Sequence, residues 1–201
     1  MFRLVALAAI ALLTVSACGD SSGGDAPGRD SAVSGGKAAT YILKESELPA
    51  GWRLASGEQY LGIPKSCGVT LEPPALASAE TQRFTQSATG PFVIQYSFVS
   101  SDEKATAKRI DQFVKAARTC TGYEPEKGVT VFVRPNLDVV ETGDAFASVH
   151  EADEVDKAHQ QDIVVFRNGP AVTVLQSYSP ATLAEHSVLS EMAATISAKH
   201  D

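Results

Sequence analysis

The sequence predicts an α+β domain: an antiparallel sheet of five or six strands with two long helices packed on one face. Three observations predict it. Phe92, Ile94, Tyr96 and Phe98 alternate in "PFVIQYSFV", the period of a strand with one apolar face. Ile110, Phe113, Val114 and Ala117 recur at i, i+3, i+4 and i+7, the stripe of an amphipathic helix. The segments then follow as hairpin, helix, strands, hairpin, helix, with no internal repeat.

The first residues stand apart from that domain. Arg3 precedes an unbroken apolar run, Leu4 to Leu13, and then Val15-Ser16-Ala17-Cys18. This reads as an export signal over residues 1–17, too short to remain as a membrane-spanning helix. Val-Ser-Ala-Cys resembles the lipobox of bacterial lipoproteins. That resemblance implies that Cys18 takes a diacylglycerol on its sulfur and becomes residue one after cleavage. Fatty-acyl (palmitate) chains then hold the protein to the outer face of the cell membrane, two chains far more firmly than one. The plainer alternative is a secreted protein with an incidental Cys18. Residues 18–40 follow as a tether of Gly, Ser, Asp and Ala with a reach of roughly 25 Å, unable to bury enough apolar area to fold. The globular domain is expected over 41–201.

Within it, "YILKESELPAGW" predicts a short helix stopped before Pro49, with Trp52 as an anchor. "LGIPKSCGVTLEPP" reads as a proline-punctuated loop pinned by Cys67. "TQRFTQSA" and "PFVIQYSFV" predict a hairpin. "SSDEKATAKRIDQFVKAARTC" is the clearest helix, with Ser100 and Glu103 at capping-box spacing and Asp102 at the positive end of the dipole. "GVTVFVRP" and "DAFASVHEAD" predict strands, the second ending in an acidic loop. "DIVVFRNGPAVTVLQSY" predicts a hairpin around Asn168-Gly169, with Pro170 pointing to a sheet edge. Ser179 as N-cap and Pro180 at N1 open the last helix, whose stripe is Leu189, Met192, Ala193 and Ile196.

The three cysteines are Cys18, Cys67 and Cys120. With Cys18 lipidated, Cys67 and Cys120 remain as an even pair in an oxidising compartment. A bridge would close a loop of about 50 residues, worth on the order of 4 kcal/mol by chain entropy. Two free buried thiols are the alternative. Loss of residues 1–17 removes Arg3, so 17 basic residues become 16 against 24 acidic, a net charge of −8. That argues against nucleic acid and against polybasic attachment to anionic lipid.

"HEADE", His150 to Glu154, approaches the H-E-x-x-H zinc motif but has Glu154 where the second histidine belongs, and it lies at a strand end. A metal set of His150, Glu151, Asp153, Asp156 and His159 competes with a solvated acidic loop, and the loop is favoured. His186 reads as a core-edge histidine bonded to a neighbour, and Tyr96 and Trp52 as core aromatics. No nucleophile elbow, phosphate loop or Cys–His signature is present. The expectation is a protein that is not an enzyme and needs no cofactor or metal.

"LKESELPAGW", "KSCGV", "QYSFVSSDEKATAKRIDQFVKAARTC" and the closing hairpin and helix resemble the PknH-type extracellular sensor domain, found in actinobacteria on membrane kinases and as free-standing lipoproteins. The resemblance covers Tyr41 to Ala198. It implies a sheet with two long helices bordering a cleft, ligand sensing, and one disulfide matching Cys67 and Cys120. The kinase ectodomain's second bridge has no cysteines here, and no ligand residue is carried over. The expected function is a lipid-anchored ligand-binding or sensor-like module, taking a small molecule or lipid in a cleft between sheet and helices. The alternative is a structural or interaction lipoprotein holding an envelope protein on an apolar patch.

Cys18→Ser is expected to shift the protein from the membrane to the soluble fraction on cell fractionation. Unchanged partitioning with membranes would remove the lipid anchor.

Overall fold

A strand that is apolar at consecutive positions has to be covered on both faces, because neighbouring side chains point opposite ways. Ile163, Val164, Val165 and Phe166 form such a run, and all four are buried. The computed structural model, which describes residues 36–56, 64–135, 138–153, 160–179 and 182–200, shows how both faces are covered. The expected signal over 1–17, Cys18 and the expected tether as far as residue 35 lie outside these residues.

The strands are β1 (Arg53–Leu54), β2 (Lys65–Ser66), β3 (Val69–Thr70), β4 (Leu76–Thr85), β5 (Phe92–Ser100), β6 (Gly122–Glu126), β7 (Val129–Pro135), β8 (Ala145–Asp153), β9 (Gln160–Asn168) and β10 (Ala171–Ser179). The helices are α1 (Glu103–Ala117) and α2 (His186–Ser197). Eight strands make one sheet, in the order β1-β4-β5-β10-β9-β8-β7-β6, and every neighbouring pair is antiparallel. The fold is α+β, as expected, with a larger sheet than the five or six strands predicted. The two extra strands, β1 and β6, are its edges. β1 has two residues and β6 reads Gly-Tyr-Glu-Pro-Glu, so neither carries an apolar alternation to detect.

The helices do not share a face. Ile110, Phe113 and Ala117 of α1 pack on Ile94, Tyr96, Phe98, Ile163, Val165, Val172 and Val174. Leu189, Met192, Ala193 and Ile196 of α2 pack on Val93, Val99, Val164, Phe166 and Leu175, the residues of opposite parity. The two long helices expected on one face are therefore one helix of 15 residues and one of 12 on opposite faces. The central strands are apolar on both sides, and one covered face would leave the other in water. Tyr96 and Trp52 are core residues, as expected.

Chain punctuation differs in detail. Gly36–Tyr41 is a 3₁₀ segment with Ala38 fully buried and its N–H donating to Ser78 Oγ at 3.0 Å. The folded domain thus includes Gly36–Thr40, part of the segment expected as tether. Lys199 fastens this end to the C-terminus, its Nζ 2.6 Å from Glu47 Oε2 and 2.7 Å from the Ile42 carbonyl. Glu45–Glu47 is a single 3₁₀ turn where a short helix was expected. The segment read as a loop forms the β2–β3 hairpin, with Cys67 (φ +49°) and Gly68 (φ +73°) at its two central positions. Positive φ at both is the signature of a type I′ turn. Asp102 caps α1, accepting from the Ala105 N–H at 2.9 Å, while Ser100 ends β5 and donates to the Pro74 carbonyl. Pro170 sits in the β9–β10 turn, not at an edge, since β10 lies inside the sheet. Ser179 ends β10, and α2 starts six residues after Pro180, with Glu185 at its N-cap; Pro180 itself lies outside the described residues.

Cys67 and Cys120 are joined by a disulfide with a Cα–Cα separation of 6.0 Å, across 53 residues of sequence. It fastens the β2–β3 turn to the residues just after α1. Among the described residues no helix is long and apolar enough to cross a membrane.

Alanine at each of Ile163, Val164, Val165 and Phe166 is expected to lower stability in urea unfolding by about 2–4 kcal/mol, with no alternation along the strand. Near-neutral effects at every second position would mean that one face of the sheet is not packed.

Candidate functional site

The β8–β9 pairing sets His150 opposite Asp162 and Glu151 opposite Gln161. Adjacent residues of a strand face opposite ways, so these two rungs put one polar group on each face of the sheet.

On the α1 face, Glu151 is buried and its carboxylate is met by three donors. Ser66 Oγ lies at 2.6 Å, Gln161 Nε2 at 2.6 Å and Tyr123 OH at 3.2 Å. Ser66 precedes Cys67, and Tyr123 follows Cys120 by three residues, so this carboxylate and the disulfide clasp the same two segments. Burial raises the proton affinity of Glu151 above the ordinary carboxylate range, against the opposing effect of its hydrogen bonds. Burial and the adjacent carboxylate likewise raise that of the Tyr123 phenol. This cluster is enclosed and its geometry is that of a structural clasp.

The α2 face is different. One rung runs Arg134, His150, Asp162, Ser177 across β7, β8, β9 and β10. The Asp162 side chain is 2% exposed, and two imidazoles meet it. His150 Nδ1 lies 2.9 Å from Oδ1, and His186 Nε2 lies 3.4 Å from Oδ2. His186 Nδ1 is also 3.4 Å from Asp138 Oδ2. Local hydrogen bonds place the pieces. The Ala184 N–H donates to Ser177 Oγ at 2.8 Å, which seats the start of α2 above the rung. The Val140 N–H donates to Ser190 Oγ at 3.0 Å, and Val139 is buried against α2, which brings Asp138 to His186.

Beyond α2 the same face opens to solvent. Phe132, Val133, Arg134, His150, Ala152 and Gln160 line a shallow groove of ≈ 320 Å³, near the lower end of the size range of ligand pockets. His150 is the least exposed of its polar side chains and is held by Asp162. A carboxylate on one ring nitrogen fixes the ring's orientation and leaves the other nitrogen for a ligand. A smaller hollow of ≈ 140 Å³ lies where the C-terminal turn of α1 meets Phe146–Ser148 and Val139.

The expected residues are dispersed as follows. Cys67 and Cys120 are bonded to each other; Cys18 lies outside the described residues. Of the metal set, His150 is on one face and Glu151 and Asp153 are on the other, while Asp156 and His159 lie outside the described residues. Among the described residues no three His, Cys, Asp or Glu side chains are grouped to hold a metal ion. His186 is bonded to its neighbours, as expected, but at the first turn of α2. Among the described residues the expected cleft bordered by two helices is not formed, because the helices lie on opposite faces and both sheet interfaces are packed. The open site is beside α2, not beneath it. Sequence reading missed Asp162, Arg134 and Phe132. The signal was there for Asp162: an acidic residue opening the apolar run of "DIVVF" is buried only when paired. The sequence matches no protein-family profile and no curated protein.

Glu151→Gln is expected to change the pH dependence of stability. Folded Glu151 holds its proton more tightly than the unfolded chain does, so its contribution is fully present below the ordinary value of 4.5 and is lost as pH rises through the raised one. Urea midpoints of the wild type should fall over this interval, and the variant should lack that part of the fall. Parallel curves would mean that burial does not govern this carboxylate.

Proposed function

We propose that this chain is a membrane-anchored extracytoplasmic lipoprotein acting as a non-catalytic, sensor-like ligand-binding module, with the groove between β7 and β8 as its ligand site. The observation that carries the reading is His150 at the groove wall, fixed from behind by a buried carboxylate. A binding site works best when its polar groups are held in place before the ligand arrives. The groove's mix of one exposed aromatic, a small residue and a few polar groups supports the same reading. Among the described residues His150 bonds to Asp162 and to no hydroxyl or thiol, which favours recognition over nucleophilic chemistry.

The remaining elements come from the sequence. The Val15–Cys18 signal supports acylation of Cys18 and attachment to the outer face of the membrane. The net charge makes nucleic acid an unsuitable partner. The resemblance to PknH-type sensor domains supports sensing, with the signal taken up by a protein partner. A second reading, an interaction lipoprotein of the envelope, is favoured by the exposure of Phe132 (51%) and Val140 (68%).

Native mass spectrometry of the mature chain, released in detergent from an oxidising host compartment, tests the first reading. The expected result is a reproducible added mass that leaves on denaturation and is absent from Ala152→Trp, whose indole fills the groove. An added mass that survives this substitution, or none in the wild type, would count against the groove as the ligand site.

A further inference from the structure

We infer that the groove recognises a small organic anion about 7 Å long, a carboxylate or phosphate monoester carrying a flat apolar group, bound with its anionic end on Arg134 and His150. This rests on the groove being the ligand site and names the chemistry that it takes.

Strand register builds the site as a two-by-two grid. Arg134 pairs with His150 on one rung, and Phe132 pairs with Ala152 on the rung two residues away. All four side chains share the face, and the two rungs are about 7 Å apart by the rise of an extended strand. One rung is cationic and polar, the other apolar. Ala152 is the small member, and its lack of bulk makes the hollow. Phe132, 51% exposed, forms one wall, and Gln160, the partner of Ala152 on β9, borders the other side. A ring laid over Ala152 would meet Phe132 and remove apolar surface from water on both partners.

Charge selects the sign of the head group. Arg134 is exposed and makes no ion pair or side-chain hydrogen bond among the described residues. The one carboxylate in its rung, Asp162, is already faced by His150 and His186. Among the described residues Arg134 therefore presents a guanidinium fork with no carboxylate on it, the group best shaped for carboxylate and phosphate oxygens. His150 adds a directed nitrogen. Its Nδ1 is committed to Asp162, so Nε2 is the ring nitrogen left for the ligand. An imidazolium donates from Nε2 to an anionic oxygen, and a neutral ring accepts there from a protonated phosphate. In a chain of net charge −7 this is a local exception to the general field, so recognition acts at contact range.

The test uses the ¹⁵N-labelled mature chain in phosphatidylcholine nanodiscs, titrated with benzoate, phenyl phosphate and the uncharged isostere benzyl alcohol. Benzoate and phenyl phosphate are expected to shift the amides of Phe132, Arg134, His150 and Ala152, and benzyl alcohol is not. Arg134→Gln, a change at an exposed position, should weaken the anions by about tenfold or more, and Arg134→Lys by less. Equal binding of benzyl alcohol at these residues would overturn the anion inference and leave the groove as a ligand site. Failure of both anions to shift the groove at millimolar concentration would also overturn it, while the native-mass test decides on the groove itself. Unchanged affinity in Arg134→Gln would remove Arg134 from recognition.

Discussion

The pairing of β8 with β9 is the constraint on which the rest depends. Because side chains alternate along a strand, a slip of one residue would carry His150 to the α1 face and Glu151 to the α2 face. Both faces resist that slip. On one side Glu151 is held by Ser66, Tyr123 and Gln161. On the other, Asp162 is held by His150 and His186. The apolar residues of β9 add to this, since Ile163 and Val165 belong to one core and Val164 and Phe166 to the other. An ordinary one-sided sheet fixes register through one set of residues. Here two independent sets agree.

Burying two carboxylates in one hairpin is costly unless each is paired and hydrogen-bonded. The two are satisfied by different chemistry. Glu151 receives neutral donors and sits beside the disulfide that closes the same region, an arrangement that stiffens without responding to a ligand. Asp162 receives imidazoles, one of which reaches the groove. A ligand at His150 therefore touches a chain of contacts running through Asp162 to His186 and the first turn of α2. That places a helix two side-chain contacts from the groove.

Much of this was legible in the chain, and the reasons for the rest are physical. The alternation of Phe92, Ile94, Tyr96 and Phe98 and the stripe of α1 are strong periodic signals, and both elements formed where expected. The disulfide followed from cysteine arithmetic together with the expectation of an export signal. The placement of the helices did not follow, because a helix stripe tells that a face is covered but not which one. "DIVVF" held that information, since an unbroken apolar run asks for cover on both sides. The edge strands were invisible for the opposite reason: β1 is two residues long, and β6 carries Pro125 and exposed glutamates. The site was least legible. Arg134, His150 and Asp162 stand far apart in sequence, and only the register of three strands brings them onto one rung.

The anchored imidazole and the proposed ligand site both depend on His150 sharing a face with Arg134, Asp162 and His186. Nuclear Overhauser contacts from the His150 ring protons test this most directly. Contacts to the His186 ring and the Arg134 side chain are the predicted result. Contacts to the Tyr123 ring instead would put His150 on the other face, and the groove, its anchored imidazole and the anion site would all be contradicted together.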